Sequence, residues 1–367
     1  MTDMRNVRRS IFLIVAVLIA IGIVMIYSAS AIYADARMHD SLYYLKRHFV
    51  YLAVGVIMMF AAMGADIDTI RKYAKPAAIL AVILLLLVLI PHVGRETAGA
   101  RRWFKFGPFN FQPSEFAKIA VILYVADLAA RKQQDLKSFF YGFMPPMIIV
   151  AIIVGLTLLE PDLGTAVTIF VIAVLMLYVG GVRGGHIMAS ILASLPVLYF
   201  LLFSVPYRKK RMMAFLNPWV DRKGTGFQII QSFIALGSGG LFGVGLGQSR
   251  QKLFYLPASH TDFIFSIIGE ELGFIGAASI IALFALFVWQ GMKVGFRAQG
   301  TFEKLLTLGI VSLVAVEAII NIGVTAGALP TKGLPLPFIS YGGSGLIFHL
   351  MAVGLLLNVA KSCEAVR

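Results

Sequence analysis

The chain has few charged residues and only one cysteine. Only 14% of its 367 residues are charged, whereas ordinary soluble domains carry roughly a quarter. Together with a hydrophobic fraction of 59%, this low charge excludes a water-soluble globular protein. Cys363 has no second cysteine to pair with in this sequence, so an intramolecular disulfide framework is excluded as well.

Motifs for nucleotide, zinc and nucleic-acid binding are also missing. The glycine run at 237–249 lacks both the G-x-G-x-x-G order and the G-K-[ST] ending of nucleotide loops. We therefore expect no nucleotide there, but a close approach of its backbone to another segment or to a headgroup. His260 and His349 have no partners at metal-ligand spacing. The net charge of +14 lies mostly in short loops between apolar runs, which favours membrane topology and anionic headgroups over a nucleic-acid partner.

Long apolar runs are abundant, and each can cross a hydrocarbon core as a helix of about 17–25 residues. The runs are continuous rather than alternating, which favours helices over a barrel. We predict an all-α, polytopic membrane bundle over residues 1–367, although the first run could also be read as a signal peptide. The third and fourth runs are short or interrupted by charge. The ten predicted spans are 11–30, 48–66, 76–91, 115–130, 143–159, 165–181, 187–205, 262–290, 305–326 and 344–360.

Ten spans place both termini on the same side of the membrane. Lys and Arg are divided almost equally between the two sets of loops, but half of the charge on one side lies in the single loop at 206–261. Because the positive-inside rule applies to short loops, we expect both termini to be cytoplasmic and this loop to be extracytoplasmic. The loop is too long for a passive connector, and an anionic ligand on the outer face would explain its cations.

Three pairs of polar residues fall within or against the predicted spans. A charge that faces lipid near the bilayer centre costs about 2.5–3.5 kcal/mol, so these groups should turn inward toward partners or a wet cavity. Structural contacts between spans and a functional cavity are both open explanations. The pairs are Glu115 and Lys118, Glu270 and Glu271, and Glu317 and Asn321.

Two connecting segments have the composition of turns. EPDLGT at 160–165 is predicted to join spans five and six, with Asp162 as a cap of the sixth. The prolines of LPTKGLPLPFISYGGSG at 329–345 exclude a helix. Irregular backbone at membrane depth is tolerated only inside protein or along a cavity. Lys332, in the middle of this segment, is a candidate anion contact.

The most informative stretch is 236–274, where a basic, glycine-rich segment meets the eighth span. Asp262 lies at the junction and is the only acidic residue between Asp221 and Glu270. This carboxylate could accept a proton during catalysis or could simply cap a helix. From the residues alone, the chain is a membrane protein with an outward-facing site for an anionic lipid.

Five ordered motifs resemble those of the bacterial SEDS family (shape, elongation, division and sporulation). They are MIYSAS (25–30), GARRWFKFGPFNFQPSEFAK (99–118), EPDLGT (160–165), GSGGLFGVGLGQSRQKLFYLPASHTDFIFSIIGEELG (237–273) and LPTKGLPLPFISYGGSG (329–345). Within the family, the first and last motifs look FtsW-like (division) rather than RodA-like (elongation). The resemblance implies a peptidoglycan glycosyltransferase of the bacterial cytoplasmic (inner) membrane, which polymerises lipid II into a nascent glycan strand. It also implies a class B penicillin-binding transpeptidase and other division or elongation membrane proteins as partners.

The resemblance implies roles for individual residues as well. Asp262 matches the essential aspartate of the family, Lys332 matches a functionally important lysine, and Glu115 with Lys118 matches a pair that lines the central cavity. Glu270 and Glu271 are further candidates for lining that cavity. We expect Asp262 to be the catalytic base, with room for a divalent cation (Mg²⁺ or Mn²⁺) beside it. The candidate substrate-binding residues are Lys332, Arg250, Lys252, His260, Arg102 and Ser340.

The chain departs from the family pattern at two positions. Ala258 stands where many relatives carry a glutamate, which puts in doubt auxiliary acidic or metal-binding groups beside Asp262. Gly345 stands where many carry a serine, and we expect this to affect only entry into the last helix.

Ten helices around a polar interior also fit a lipid II flippase, and a non-catalytic scaffold for division proteins is a third possibility.

Overall fold

The computed structural model describes residues 4–97, 100–107, 109–253 and 255–365. Gly99, Pro108 and Phe254, which belong to the family motifs, lie outside the described residues, as do the two chain ends. Nearly all regular structure in the described part is helical. The α-helices are α1 (Met4–Met38), α2 (Tyr43–Gly64), α3 (Ile67–Lys72), α4 (Ala74–Leu89), α5 (Pro113–Arg131), α6 (Met144–Leu159), α7 (Leu163–Gly180), α8 (Gly184–Phe203), α9 (Pro206–Leu216), α10 (Phe227–Ser238), α11 (Ile264–Arg297), α12 (Thr301–Thr325) and α13 (Ser344–Ala365).

Within the described ranges, eight helices are long and apolar enough to cross a membrane. They are α1, α2, α6 with the π-helical turn Phe139–Phe143 before it, α7, α8, α11, α12 and α13. The third and fourth predicted spans are helices too, but α4 has only 16 residues and α5 carries several charges. The prediction of an all-α, multi-pass membrane protein is confirmed.

The prediction of one continuous eighth span over 262–290 is wrong. Helix α11 begins at Ile264 and ends at Arg297, and Gly273 interrupts it with a φ of 68° and a ψ of −168°. The glycine-rich segment 240–245 fills the break. The N–H of Val244 donates to the Glu270 carbonyl at 3.0 Å, and the N–H of Phe274 donates to the Gly240 carbonyl at 2.8 Å. Backbone groups freed by the break therefore find partners in the preceding loop.

Glycine is required where these two backbones meet. A Cβ on Gly239 would lie 1.9 Å from the carbonyl oxygen of Gly269, and one on Gly243 would lie 2.1 Å from the carbonyl oxygen of Glu271. Gly243 also has a φ of 83°, which side chains disfavour. The predicted close approach of the glycine run to another backbone is confirmed, and α11 is that other segment.

Segment 206–261 is more regular than a loop. It contains α9, a 3₁₀ turn at Pro218–Asp221 and α10. Helix α10 is the segment that looks amphipathic in the sequence, and it buries Ile229, Ile230 and Ala235. The hydroxyl of Ser232 on the same helix lies 2.6 Å from the Ser266 hydroxyl and donates to the Thr325 carbonyl at 2.7 Å. These contacts fasten α10 against α11 and α12.

A small antiparallel sheet precedes α5 and was not among the predicted elements. Its strands are β1 (Arg95–Thr97), β2 (Ala100–Phe106) and β3 (Phe109–Phe111), in that order. The Asn110 N–H donates to the Tyr51 hydroxyl at 2.9 Å, which ties the sheet to α2. The sheet thereby covers the same end of the bundle at which α5 begins.

Candidate active site

A cavity of about 360 Å³ lies beside Asp262, where several helix ends and the small sheet meet. This volume is in the range of small-molecule sites. We call it the Asp262 cavity. Five of its lining residues carry ionisable groups of opposite signs, and backbone from 333–335 and 342–343 completes the wall. The charged lining residues are Arg95, Arg102, Glu115, Asp162 and Asp262.

The turn that carries Asp262 is held by three consecutive main-chain carbonyls. The carbonyls of 260–262 accept, in order, the N–H of Tyr341 at 3.0 Å, the hydroxyl of Ser340 at 2.6 Å and the amide of Asn321 at 2.9 Å. Two of these donors belong to the irregular segment 329–343, and the third belongs to α12. The predicted absence of helix in that segment is confirmed. Its hydrogen bonds hold the Asp262 turn in place.

The carboxylate of Asp262 faces the cavity and, within the described residues, accepts no hydrogen bond. The capping alternative is not observed, because α11 begins after Phe263 and has no side-chain cap. Burial raises the pKa of Asp262 to about 6. The positive charges of Arg211 and Arg102 oppose that rise, whereas the negative charge of Asp162 adds to it. The group is therefore ionised at neutral pH but more basic than an ordinary aspartate.

Asp162 lines the cavity and also caps a helix. Its carboxylate accepts the N–H of Thr165 at 3.1 Å and the amide of Gln112 at 3.2 Å. The predicted capping of the sixth span is confirmed. Because these two donors hold its oxygens, Asp162 is less available for chemistry than Asp262.

Arg102 closes the turn between α6 and α7. Its guanidinium donates to the carbonyls of Glu160 at 2.8 Å and Pro161 at 2.6 Å, and lies 3.9 Å from Asp162. Burial raises the pKa of the Glu160 side chain to about 9, so that carboxyl is neutral at pH 7 and does not cancel the charge of Arg102.

Lys332 lies beside the cavity in the irregular segment. It is half-buried, and burial lowers its pKa while the negative charge of Asp162 opposes the shift. The next residue, Gly333, lines the cavity, and a Cβ there would lie 3.0 Å from an Asp262 carboxylate oxygen. The charge of Lys332 therefore acts on Asp162, and the residue after it contacts Asp262, although Lys332 is not itself part of the wall.

Four of the predicted site residues meet elsewhere, outside the lining of the Asp262 cavity. The buried ammonium of Lys252 lies 2.9 Å from Glu271 and 3.0 Å from the Ser28 hydroxyl on α1. Glu270 accepts the N–H of Arg250 at 3.0 Å, while the Arg250 side chain is exposed. These residues join segment 249–252 to α1 and α11.

His260 and Ser340 belong to the framework behind the cavity. The His260 ring lies among Tyr33, Tyr44 and Tyr341, at centroid distances of 5.9, 4.5 and 6.0 Å. Burial lowers its pKa to about 4, so it is neutral. The Ser340 hydroxyl also accepts the N–H of Leu336 at 2.8 Å. Neither side chain lines the Asp262 cavity.

Beneath the cavity, a buried charge network enters the bundle. The ammonium of Lys118 lies 2.9 Å from Glu115, which lines the cavity, and also contacts Glu317 on α12. Glu317 in turn lies 2.6 Å from His349. The predicted pairing of Glu115 with Lys118 is confirmed. A Cβ on Gly345 would lie 3.1 Å from Glu115, so this departure from the family pattern changes the surroundings of Glu115 and not helix entry alone.

Sequence reasoning missed several residues of the wall. Arg95 and Trp103 reach the cavity from the small sheet, and Tyr51 reaches it from α2. Arg211 acts on the charge of Asp262 from α9, 51 positions earlier in the chain. Arg211 belongs to the basic cluster at 208–211, which is a candidate for diphosphate contacts on sequence grounds.

The carboxylates of the Asp262 cavity fit a metal site that substrate oxygens and waters complete, and not one formed by protein ligands alone. In the described part of the chain, no group of three or more His, Cys, Asp or Glu side chains could hold a metal ion. Asp162 and Asp262 nevertheless line one cavity. Mg²⁺ is commonly held by one or two carboxylates together with waters and substrate phosphates, and this donor set fits that pattern.

Comparison with known proteins agrees with the geometry. The family model described as cell cycle protein (FtsW, RodA, SpoVE) matches residues 8–365. The probable peptidoglycan glycosyltransferase FtsW of Geobacter metallireducens is 49% identical over 350 residues, which are 95% of this chain and 93% of that protein. A solved chain from a peptidoglycan synthase complex has a TM-score of 0.79 and 30% identity, and the match covers 96% of this chain and 97% of that one.

The rod shape determining protein RodA of Thermus thermophilus has a TM-score of 0.70 and 28% identity, with 96% of each chain covered. The SEDS resemblance drawn from the five motifs is thus confirmed, including its FtsW-like character. The chain belongs to the FtsW/RodA/SpoVE family of cell cycle proteins, the SEDS family.

Proposed function

We propose that the chain is a peptidoglycan glycosyltransferase that polymerises lipid II at the outer face of the cytoplasmic membrane during cell division. Relatives that share almost its full length are named as probable peptidoglycan glycosyltransferases. The observation that carries the proposal is the Asp262 carboxylate, which faces a cavity among cations, accepts no hydrogen bond from the described residues, and has a pKa raised to about 6.

The reaction joins two sugars and needs a base. The 4-hydroxyl of the acceptor attacks the anomeric carbon of the donor, and the bond from that carbon to the diphosphate oxygen breaks. The electron pair leaves with undecaprenyl diphosphate, and the hydroxyl proton passes to Asp262. A positioned base of this kind contributes typically about 10²–10⁴-fold.

Asp262 is the best candidate for this role among the three carboxylates that line the cavity. Glu115 is paired with Lys118, and Asp162 is held by Thr165 and Gln112. A carboxylate that is already stabilised by a cation or by N–H donors is a weaker base. Within the described residues Asp262 accepts no hydrogen bond, and burial raises its pKa more than the charges of Arg211 and Arg102 lower it.

Cations around the cavity would stabilise the charge that develops on the leaving diphosphate. Lys332, Arg102 and Arg211 are the candidates, because each acts on Asp162 or Asp262. We assign no such role to Lys252, whose charge is neutralised by Glu271. Arg250 lies on the same remote segment, and His260 and Ser340 support the Asp262 turn.

A divalent cation fits as an optional component. Asp262 and Asp162 would hold Mg²⁺ or Mn²⁺ together with oxygens of the substrate diphosphate. Such an ion would neutralise charge on the leaving group. No nucleotide is required for this chemistry, because the lipid-linked donor already carries its leaving group.

Orientation and partners follow from the same proposal. The Asp262 cavity would face outward and both termini would be cytoplasmic, as the distribution of Lys and Arg over short loops favours. A class B penicillin-binding transpeptidase is the proposed partner. The likeness to a chain from a peptidoglycan synthase complex supports that partner.

Reconstitution separates the polymerase from its two alternatives. The purified chain is placed in liposomes with lipid II, with and without a class B transpeptidase, and both glycan polymer and movement of lipid II between leaflets are measured. A polymerase yields polymer without translocation. Translocation without polymer would indicate a flippase, and neither activity in either condition would indicate a scaffold.

A further inference from the structure

A second cavity, of about 440 Å³, lies at the far end of α5 from the Asp262 cavity. We call it the basic cavity. Glu115 at the first cavity and Arg131 at the second lie on the same helix, and a rise of 1.5 Å per residue separates them by about 24 Å. The two cavities therefore lie toward opposite membrane surfaces. The residues that line the basic cavity are Asp68, Arg71, Lys72, Lys75, Asp127 and Arg131.

One buried carboxylate fixes both arginines of the basic cavity. Asp127 lies 3.1 Å from the Arg71 Nε and 2.6 Å from a terminal nitrogen of Arg131. The Arg71 guanidinium also lies over the Phe302 ring at 5.8 Å. The two guanidinium groups are thus held in place, and together with Asp127 they keep one excess positive charge.

The two lysines of the basic cavity add positive charge, and an opposing group outside the lining is the exposed Asp66, whose pKa the charge of Lys72 helps to lower. Lys72 and Lys75 are exposed, and within the described ranges neither ammonium group forms an ion pair or a hydrogen bond. Asp68 is the other acidic lining residue. Four cations therefore face two carboxylates, and the cavity carries an excess of two positive charges.

An apolar stripe leads away from the lysines along α4. Ile79 and Ile83 follow Lys75 at successive intervals of four residues, which places the three on one helix face. Both isoleucines are exposed, at 61% and 46%. An acyl chain attached to an anion at the lysines could lie along this stripe, whereas free phosphate would gain nothing from it.

We propose that the basic cavity binds the phosphate of an anionic phospholipid in the leaflet opposite to the Asp262 cavity, with an acyl chain along α4. Lysine ammonium groups bind phosphate as point charges, and arginines add directed donors. Basic pockets between membrane helices are suited to such headgroups. The inference does not depend on the activity proposed for Asp262, because its test measures lipid binding and not polymerisation.

Native mass spectrometry of the full chain in detergent tests the proposal, with phosphatidylglycerol as the probe and phosphatidylcholine as the neutral lipid. The test variant is Lys72→Ala with Lys75→Ala. The matched control is Lys137→Ala with Lys304→Ala, which removes the same charge from exposed positions. The Gln133 side chain contacts Thr301, so these control lysines lie at the same membrane surface as the cavity.

The test variant should lose about thirtyfold in affinity for the first phosphatidylglycerol, since each lysine near an anionic lipid contributes about fivefold. The control variant should match the unmodified chain, and Lys72→Arg with Lys75→Arg should retain binding. Equal losses in the two alanine variants would overturn the proposal. Displacement of the lipid by excess inorganic phosphate would overturn it too, because the site would then be one for free phosphate.

Discussion

The side-chain amide of Asn321 donates a hydrogen bond to the main-chain carbonyl of Asp262 at 2.9 Å. The same amide donates to the carbonyl of Leu334 at 2.7 Å. A single buried side chain on α12 therefore fixes the Asp262 turn relative to the irregular segment 329–343. Asn321 does not line the cavity, so its proposed role is to position the base.

Asn358 provides a matched control for Asn321. It is also a buried asparagine on a helix, and its amide donates to the carbonyls of Ala62 at 2.9 Å and Ala65 at 2.6 Å. We expect Asn321→Ala and Asn358→Ala to lower the free energy of unfolding similarly, by about 1–3 kcal/mol for each carbonyl left unpaired. Only Asn321→Ala should lower the polymerisation rate, at least about tenfold. Equal rates in the two variants would contradict the positioning role.

The pH dependence of polymerisation should report the ionisation of Asp262. Its folded pKa of about 6 is raised above the ordinary value by burial, so the group is protonated, and cannot accept a proton, below that pH. We expect kcat/KM to rise about tenfold per pH unit below about pH 6 and to level off above it. The measurement is the initial rate on lipid II between about pH 4.5 and 8, and a flat profile across pH 6 would count against this base.

Lys332 should matter more than a lysine of the opposite surface. Lys332→Ala removes a cation whose charge acts on Asp162 in the wall of the cavity. We expect kcat/KM to fall about ten- to a hundredfold, since the loss of one group that stabilises transition-state charge typically costs that much or more. Lys137→Ala removes an exposed charge far from the cavity and should leave kcat/KM unchanged. Initial rates on lipid II measure both, and equal effects would remove Lys332 from the diphosphate site.

The break in α11 predicts a sharp contrast between two neighbouring glycines. A Cβ on Gly239 would clash with the Gly269 carbonyl at 1.9 Å, whereas one on Gly237 would meet nothing within 4 Å. Gly239→Ala should therefore lower the unfolding temperature in detergent by several degrees, because backbone must move. Gly237→Ala should be neutral or slightly stabilising, because alanine favours helix. Similar unfolding temperatures would show that the glycine run is not packed against the helix.

The eight long helices that can cross a membrane could be predicted from the sequence, because each is a continuous apolar run. Asp262 stood out for the same local reason, as a lone carboxylate at the junction of a basic segment and a span. The break at Gly273 could not be predicted, since it depends on hydrogen bonds exchanged between the backbones of 240–245 and α11. Residue patterns within α11 give no sign of that pairing.

Charge partners were predictable only at helical spacing. Glu115 and Lys118 lie three apart, and their contact is present. Lys252 was predicted to bind substrate near Asp262. Its ammonium group instead forms an ion pair with Glu271, which is 19 positions away. Such partners are set by tertiary packing and not by sequence spacing. The short strands that bring Arg95 and Trp103 to the cavity show no clear alternation of apolar and polar residues in the sequence.

The most direct test of the catalytic proposal is the rate of glycan synthesis from lipid II by purified Asp262→Asn. Asparagine keeps the size of the side chain and removes the proton acceptor. The rate should fall about 10²–10⁴-fold. The unfolding temperature at pH 7 should be unchanged or higher, because the cost of the buried charge builds up between the ordinary pKa of 3.8 and the folded pKa of about 6 and is fully present at pH 7. Synthesis at close to the unmodified rate by a folded Asp262→Asn variant would contradict the account.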